Sequence, residues 1–101
     1  MEPQTFEDYA NSILFQCVKV MSVKKNDYAE NNNRYSNFEE SAKIAGINPE
    51  QSIIVLMGVK LARLRQLTVN NKEVKNESID DSILDLINYA LILGGFKKQL
   101  Q

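Results

Sequence analysis

The chain predicts an all-α fold, a small helical bundle of about four helices in a single domain spanning residues 1–101. Three observations predict it. Apolar residues recur at three- and four-residue spacing along most of the chain. Four helix starts carry capping signals. No stretch alternates apolar and polar residues for long enough to form a sheet strand.

The first helix is expected from about Thr5 to Val23. Thr5-Phe-Glu-Asp8 has the form of a capping box with a shorter acid, and Phe6, Tyr9, Ala10, Ile13, Leu14, Cys17, Val18 and Met21 make an apolar stripe. A short second helix is expected over 37–45. It opens on Ser36-Asn-Phe-Glu39 and closes at Gly46, a natural left-handed cap. The third runs from about Pro49 to Leu67. Asn48 is its N-cap, proline fills the first helical position and Gln51 stands at N3. The fourth runs from about Ile79 to Phe96, opened by Ser78-Ile-Asp-Asp81 and weakened near its end by Gly94-Gly95. Polar segments 24–35 and 68–77 join the first to the second helix and the third to the fourth.

Composition narrows the chemistry. With 101 residues, 44% hydrophobic and 25% charged, the chain suits one globular core. A net charge of −1 supplies no field favouring DNA or an acidic membrane, so neither is an expected partner. No apolar run is long enough to span a bilayer, and the N-terminus lacks the parts of a signal peptide. A single cysteine, Cys17, implies no disulfide framework. A cytoplasmic protein is expected. The absence of histidine removes Ser-His-Asp and Cys-His nucleophilic sites and makes a one-chain zinc site very hard to build. Any bound metal must be held by carboxylates, which suits magnesium or manganese.

The fourth helix is apolar almost all round from Ile83 to Leu93, yet Asp81, Asp85 and Asn88 share one of its faces at i, i+4 and i+7. A buried carboxylate is costly unless it is paired, hydrogen-bonded or metal-bound. The ridge therefore reads either as a functional face or as a helix cap (Asp81) and a structural ion pair (Asp85). On the third helix, Lys60 falls on the apolar side, with Arg63 and Arg65 nearby. A short connection packs the third and fourth helices antiparallel, which lets Lys60 and Arg63 meet the Asp81/Asp85 face. The segment holding Lys25, Asp27, Tyr28, Arg34 and Tyr35 interleaves rings with charges. It reads either as a base-stacking and phosphate-contacting loop or as a surface loop with tyrosines docked on the core. Leu84, Ile87, Leu91 and Ile92 cannot all face one core, so association through the fourth helix is expected.

Lys25-Asn-Asp-Tyr28, Asn37-Phe38, Ala45-Gly46, Lys60-Leu-Ala-Arg-Leu64, Glu77-Ser-x-x-Asp81 and Asp85-Leu-x-Asn-Tyr-Ala90 occur in an order that resembles the phage and prophage nucleotide modification associated domains. Those are similar in turn to MazG-like all-α nucleotide pyrophosphohydrolases. The resemblance covers roughly residues 20–93. It implies a MazG-like helical oligomer that holds a nucleotide, or a cyclic or modified nucleotide, in the cytoplasm of a bacterial host if the protein is phage-encoded. It offers Lys25, Asp27, Tyr28, Arg34, Tyr35, Asn37, Lys60, Arg63 and Asn88 to the ligand. It offers Asp81, Asp85 and Glu77 to a magnesium ion. The chain departs from the MazG-like pattern at Lys43, which follows Glu39-Glu40 where a further acid is wanted. Three readings follow: a binder that sequesters a nucleotide or nucleotide-derived signal against host immunity, a metal-dependent pyrophosphohydrolase, and a non-catalytic helical interaction module.

Overall fold

A computed structural model describes residues 4–27, 33–69 and 78–100, with side chains described to residue 22 in the first segment. The described residues form four helices and no strand: α1 (Phe6–Asp27), α2 (Ser36–Ala45), α3 (Pro49–Thr68) and α4 (Ile79–Lys97).

Three of the four starts close as their residues dictate. Thr5 Oγ1 accepts from the Asp8 N–H at 3.0 Å. Asn48 and Gln51 form a reciprocal box, with Pro49 inside the first turn. Ser78 and Asp81 form another, Ser78 Oγ accepting from the Asp81 N–H at 3.1 Å and Asp81 Oδ2 from the Ser78 N–H at 3.1 Å. The start of α2 differs from expectation. Its N-cap is Tyr35, with no side-chain cap bond, so the Ser36–Glu39 box does not form. Asn33 takes its place: its Oδ1 accepts from the Tyr35 N–H at 2.9 Å and its amide donates to Glu39 Oε1 at 2.8 Å. An asparagine bonding its own backbone two residues on competes well with a serine cap. Gly46 ends α2 at φ 73°, and the Ile47 N–H returns to the Ala42 carbonyl at 3.0 Å. The α1 helix runs on to Asp27 because Lys24-Lys-Asn-Asp27 holds neither glycine nor proline to stop it.

The helix backbones pack in the spatial order α1–α4–α3–α2. The α3 and α4 helices run antiparallel, Glu50 lying opposite Lys97 and Lys60 opposite Asp85. The α1 helix runs parallel to α4, with Tyr9 beside Asp80 and Cys17 beside Leu84. The α2 helix is tied to α3 by the Ser41–Ser52 hydroxyl pair at 2.7 Å. At its start, rings reach across to α4: Tyr35 meets Phe96 edge-on at 5.4 Å and Phe38 meets Tyr89 at 6.4 Å. The fully or nearly buried apolar side chains among the described residues are few: Ile13, Cys17, Tyr35, Ala42 and Ile53.

Leu84, Ile87 and Ile92 are half-buried inside the protomer and only Leu91 is half exposed. The α4 helix thus keeps part of its apolar arc, at Leu91, open to solvent. It is flanked by α1 and α3, and the ends of its apolar arc are used there.

Gly95 does more than weaken a helix end. A Cβ there would stand 2.8 Å from the Tyr35 hydroxyl, which donates to the Leu100 carbonyl. Gly95→Ala should displace the tyrosine and cost about 1–3 kcal/mol, lowering the thermal midpoint. Gly94→Ala, where an added Cβ meets nothing within 4 Å, should be neutral or stabilising in the same melt.

Candidate functional site

The site begins with the antiparallel pairing of α3 and α4. Lys60 sits on the inner face of α3 because Ile53, Met57 and Leu64 share that face at helical spacing. Its Nζ lies 2.8 Å from Asp85 Oδ2. The lysine side chain is 17% exposed and the aspartate 37%, so the pair stands at the edge of the core, wetted from one side. Arg63 follows Lys60 by one turn on α3, half-buried and engaged with its own surroundings.

One turn beyond Asp85, Asn88 is 5% exposed. Its Oδ1 has no hydrogen-bond partner among the described residues. An unmet buried acceptor costs roughly 1–3 kcal/mol, and such a group calls for an explanation by something that donates to it. Cys17 closes the α1 side, 1% exposed, its thiol aimed at the Leu84 carbonyl at 3.9 Å. Burial pushes that thiol up from its ordinary pKa, and the nearby Asp85 charge pushes it the same way. Tyr9 is likewise raised, mainly by its 2.8 Å hydrogen bond to Asp80.

The other residues of interest divide. Arg34 and Tyr35 lie at the far end of α4, lining a 160 Å³ cavity with Met21, Ile92 and Gly95. They are two turns from Asn88, roughly 10 Å along the helix. Tyr35 is buried to 6% exposure, its ring against Phe96, and offers no open face to a base. Its interior place is fixed by the Leu100 hydrogen bond, so base stacking by Tyr35 is set aside. Asn37 is exposed on α2 and lines an apolar groove between α2 and α3. Lys25 and Asp27 extend α1 in backbone, with side chains outside the described set; Tyr28 and Glu77 lie outside the described residues altogether.

Asp81 is exposed and its carboxylate completes the α4 capping box, while Asp85 pairs with Lys60. Among the described residues no three acidic or cysteine side chains converge on a point. Of the three carboxylates offered to a magnesium ion, Asp81 caps a helix and Asp85 holds a lysine, while Glu77 lies outside the described residues.

Ser82, wholly buried on α4, and the Tyr9–Asp80 bond were not singled out by sequence. Ser82 is three residues ahead of Asp85 but stands just before the apolar run, after Asp80 and Asp81, so it lacks the signal that marks Asn88. The partner of Asp80 lies 71 positions away, and no local pattern announces it.

Among the described residues the geometry is that of an all-helical protein with a polar cluster between α3 and α4. The chain belongs to the nucleotide modification associated domain 1 family, whose model matches residues 6–93. No curated protein and no solved structure matches it. No described helix is long and apolar enough to cross a membrane.

Proposed function

We propose that the protein binds a nucleotide or nucleotide-derived signal molecule as a homo-oligomer. In a phage-type setting it would sequester such a signal from host immunity. The observation that carries this reading is the buried Asn88 amide with an unmet oxygen, one turn from the Lys60–Asp85 pair. A nucleotide supplies both complements. Its phosphate suits a lysine held in place by a carboxylate, and a base N–H or a ribose hydroxyl suits a buried carbonyl acceptor. Family membership points to the same ligand class.

Pyrophosphohydrolase activity of the MazG-like kind is the second reading. It rests on the resemblance around Asp81 and Asp85, and the commitment of both carboxylates to other partners favours the binder. Native mass spectrometry of freshly purified protein tests the proposal. A retained mass that absorbs near 260 nm after release is expected. Protein free of such a mass, with no shift in melting on addition of mono-, di-, tri- or cyclic nucleotides, would reject it.

A further inference from the structure

The face of α4 that carries Asp85 and Asn88 continues beyond them. Asn88, Ile92 and Gly95 follow i, i+4 and i+7. Lys60 meets this face at Asp85. At its other end Ile92 and Gly95 line the 160 Å³ cavity, together with Met21, Leu91, Leu100 and Arg34. Leu91 and Leu100 keep 50% and 56% of their surface in water, so the cavity is reached from solvent. Its volume is small against the roughly 300–1,000 Å³ of a site that holds a whole ligand. It suits one part of a ligand whose remainder lies along α4.

The chemistry of the lining selects the part. Met21, Leu91, Ile92 and Leu100 give apolar walls, and Arg34 is the one charged residue among the described residues that line it. A phosphate is costly to bury against four apolar side chains. A nucleobase has apolar faces for those walls and a polar edge for the guanidinium. Arg34 is held ready for such an edge. Asn33 Oδ1 accepts from the Tyr35 N–H at 2.9 Å and closes a turn around Arg34. The Tyr35 hydroxyl is lodged beside Gly95, in space that a Cβ would crowd. Order along the helix agrees. The cavity begins at Ile92, roughly 10 Å beyond Asp85, with the buried Asn88 acceptor between them. Phosphate at Lys60, sugar hydroxyl at Asn88 and base at Arg34 is the order in which a nucleotide carries its parts.

We infer that the Arg34 cavity is the base subsite of the nucleotide site and that it selects guanine. The inference rests on the nucleotide reading above and adds which nucleotide is taken. Arginine donates and never accepts, so the edge that faces it must carry acceptors. Guanine presents two side by side, O6 and N7, which match the guanidinium fork. Adenine sets an amino donor beside its N7, cytosine presents its N4 donor, and uracil offers a single O4.

Calorimetry of the full chain with the 5′-mono- and triphosphates of guanosine, adenosine, cytidine and uridine tests it. The guanosine phosphates are expected to bind roughly 10- to 100-fold more tightly than the others. Inosine phosphates, which keep O6 and N7, should match them. The 7-deazaguanosine triphosphate, which lacks the N7 acceptor, should lose roughly tenfold. Arg34→Met should bring guanosine and adenosine phosphates to one affinity, whereas Lys60→Met should weaken all of them and keep their ratio. Equal affinities for the four bases in the wild type, or a preference for another base, would overturn the base subsite and leave the nucleotide reading standing. So would a guanosine preference that survives Arg34→Met, or a loss in Arg34→Met shared equally by every base, which would put Arg34 on phosphate. Binding of none of these phosphates would remove the nucleotide reading itself, and this inference with it.

Discussion

Lys60→Met is expected to weaken nucleotide binding about 10- to 100-fold, the worth of one charge-assisted hydrogen bond to phosphate. Methionine keeps the apolar stem of lysine on the inner face of α3 and removes only the ammonium group. The substitution also strands Asp85, which is 37% exposed beside Lys60 Nζ at 2.8 Å. Breaking a fully buried pair costs about 3–5 kcal/mol and an exposed one about 0–1; this pair lies between, and a stability loss of about 1–2 kcal/mol is expected. The two effects separate in the double variant Lys60→Met/Asp85→Leu. With both charges gone, the apolar pair should recover most of the lost stability. Nucleotide affinity should stay low. Calorimetry and chemical denaturation on the wild type and these two variants check this, and an unchanged affinity in Lys60→Met would remove the lysine from the site.

The same ion pair shows what the sequence could reveal. Lys60 and Asp85 each stand out as a charge on an apolar helical face, and a short connection makes antiparallel neighbours of their helices. Pattern and connectivity together therefore foretell a meeting between α3 and α4. Asn88 is legible for the same reason, as the amide in an apolar run. Helix starts are legible wherever one residue type does one job, as at Asn48-Pro49 and Ser78. Asp81 is ambiguous because Ser-x-x-Asp is both a capping box and part of an acidic ridge. Only the 3.1 Å bond to the Ser78 N–H shows which geometry the carboxylate adopts.

The start of α2 and the covering of apolar faces are both less legible, for a shared physical reason. The capping box at Ser36 was overtaken by Asn33, which reaches α2 from three residues farther back. The apolar surface of α4 leaves Leu91 half exposed, and α3 exposes Ile54, Val55 and Leu61 as well. Periodicity tells which residues share a face and not which neighbouring helix covers it. The spatial order α1–α4–α3–α2 decides that, and it depends on the pairing of α1 with α4 through contacts such as Tyr9–Asp80, far apart in sequence. Tyr35 follows the same logic: a tyrosine beside an arginine looks like a stacking platform until Gly95, sixty positions on, opens a place for it inside.

The sharpest division between a binder and a hydrolase is expected in the behaviour of Asp85→Asn with and without chelator. Hydrolysis without histidine calls for a metal to lower the pKa of an attacking water and to neutralise phosphate charge. In that case magnesium would be required and Asp85→Asn would abolish turnover. As a binder, the wild-type protein should return its nucleotide unchanged after long incubation with magnesium, and chelator should leave affinity within about twofold. Asp85→Asn should then lower affinity by about 3- to 30-fold, because an amide holds the Lys60 ammonium less firmly than a carboxylate does. An independent readout shows that the substituted side chain still occupies its place. The Asp85 charge contributes to holding the Cys17 thiol above its ordinary range, so its removal should let the thiol ionise at lower pH in an ultraviolet titration, with burial still keeping it raised. A folded Asp85→Asn protein whose Cys17 titrates lower, and whose ligand binds more weakly without metal dependence, is the expected outcome. Magnesium-dependent release of phosphate or pyrophosphate by the wild type, lost in this variant, would instead make Asp85 part of a hydrolytic centre.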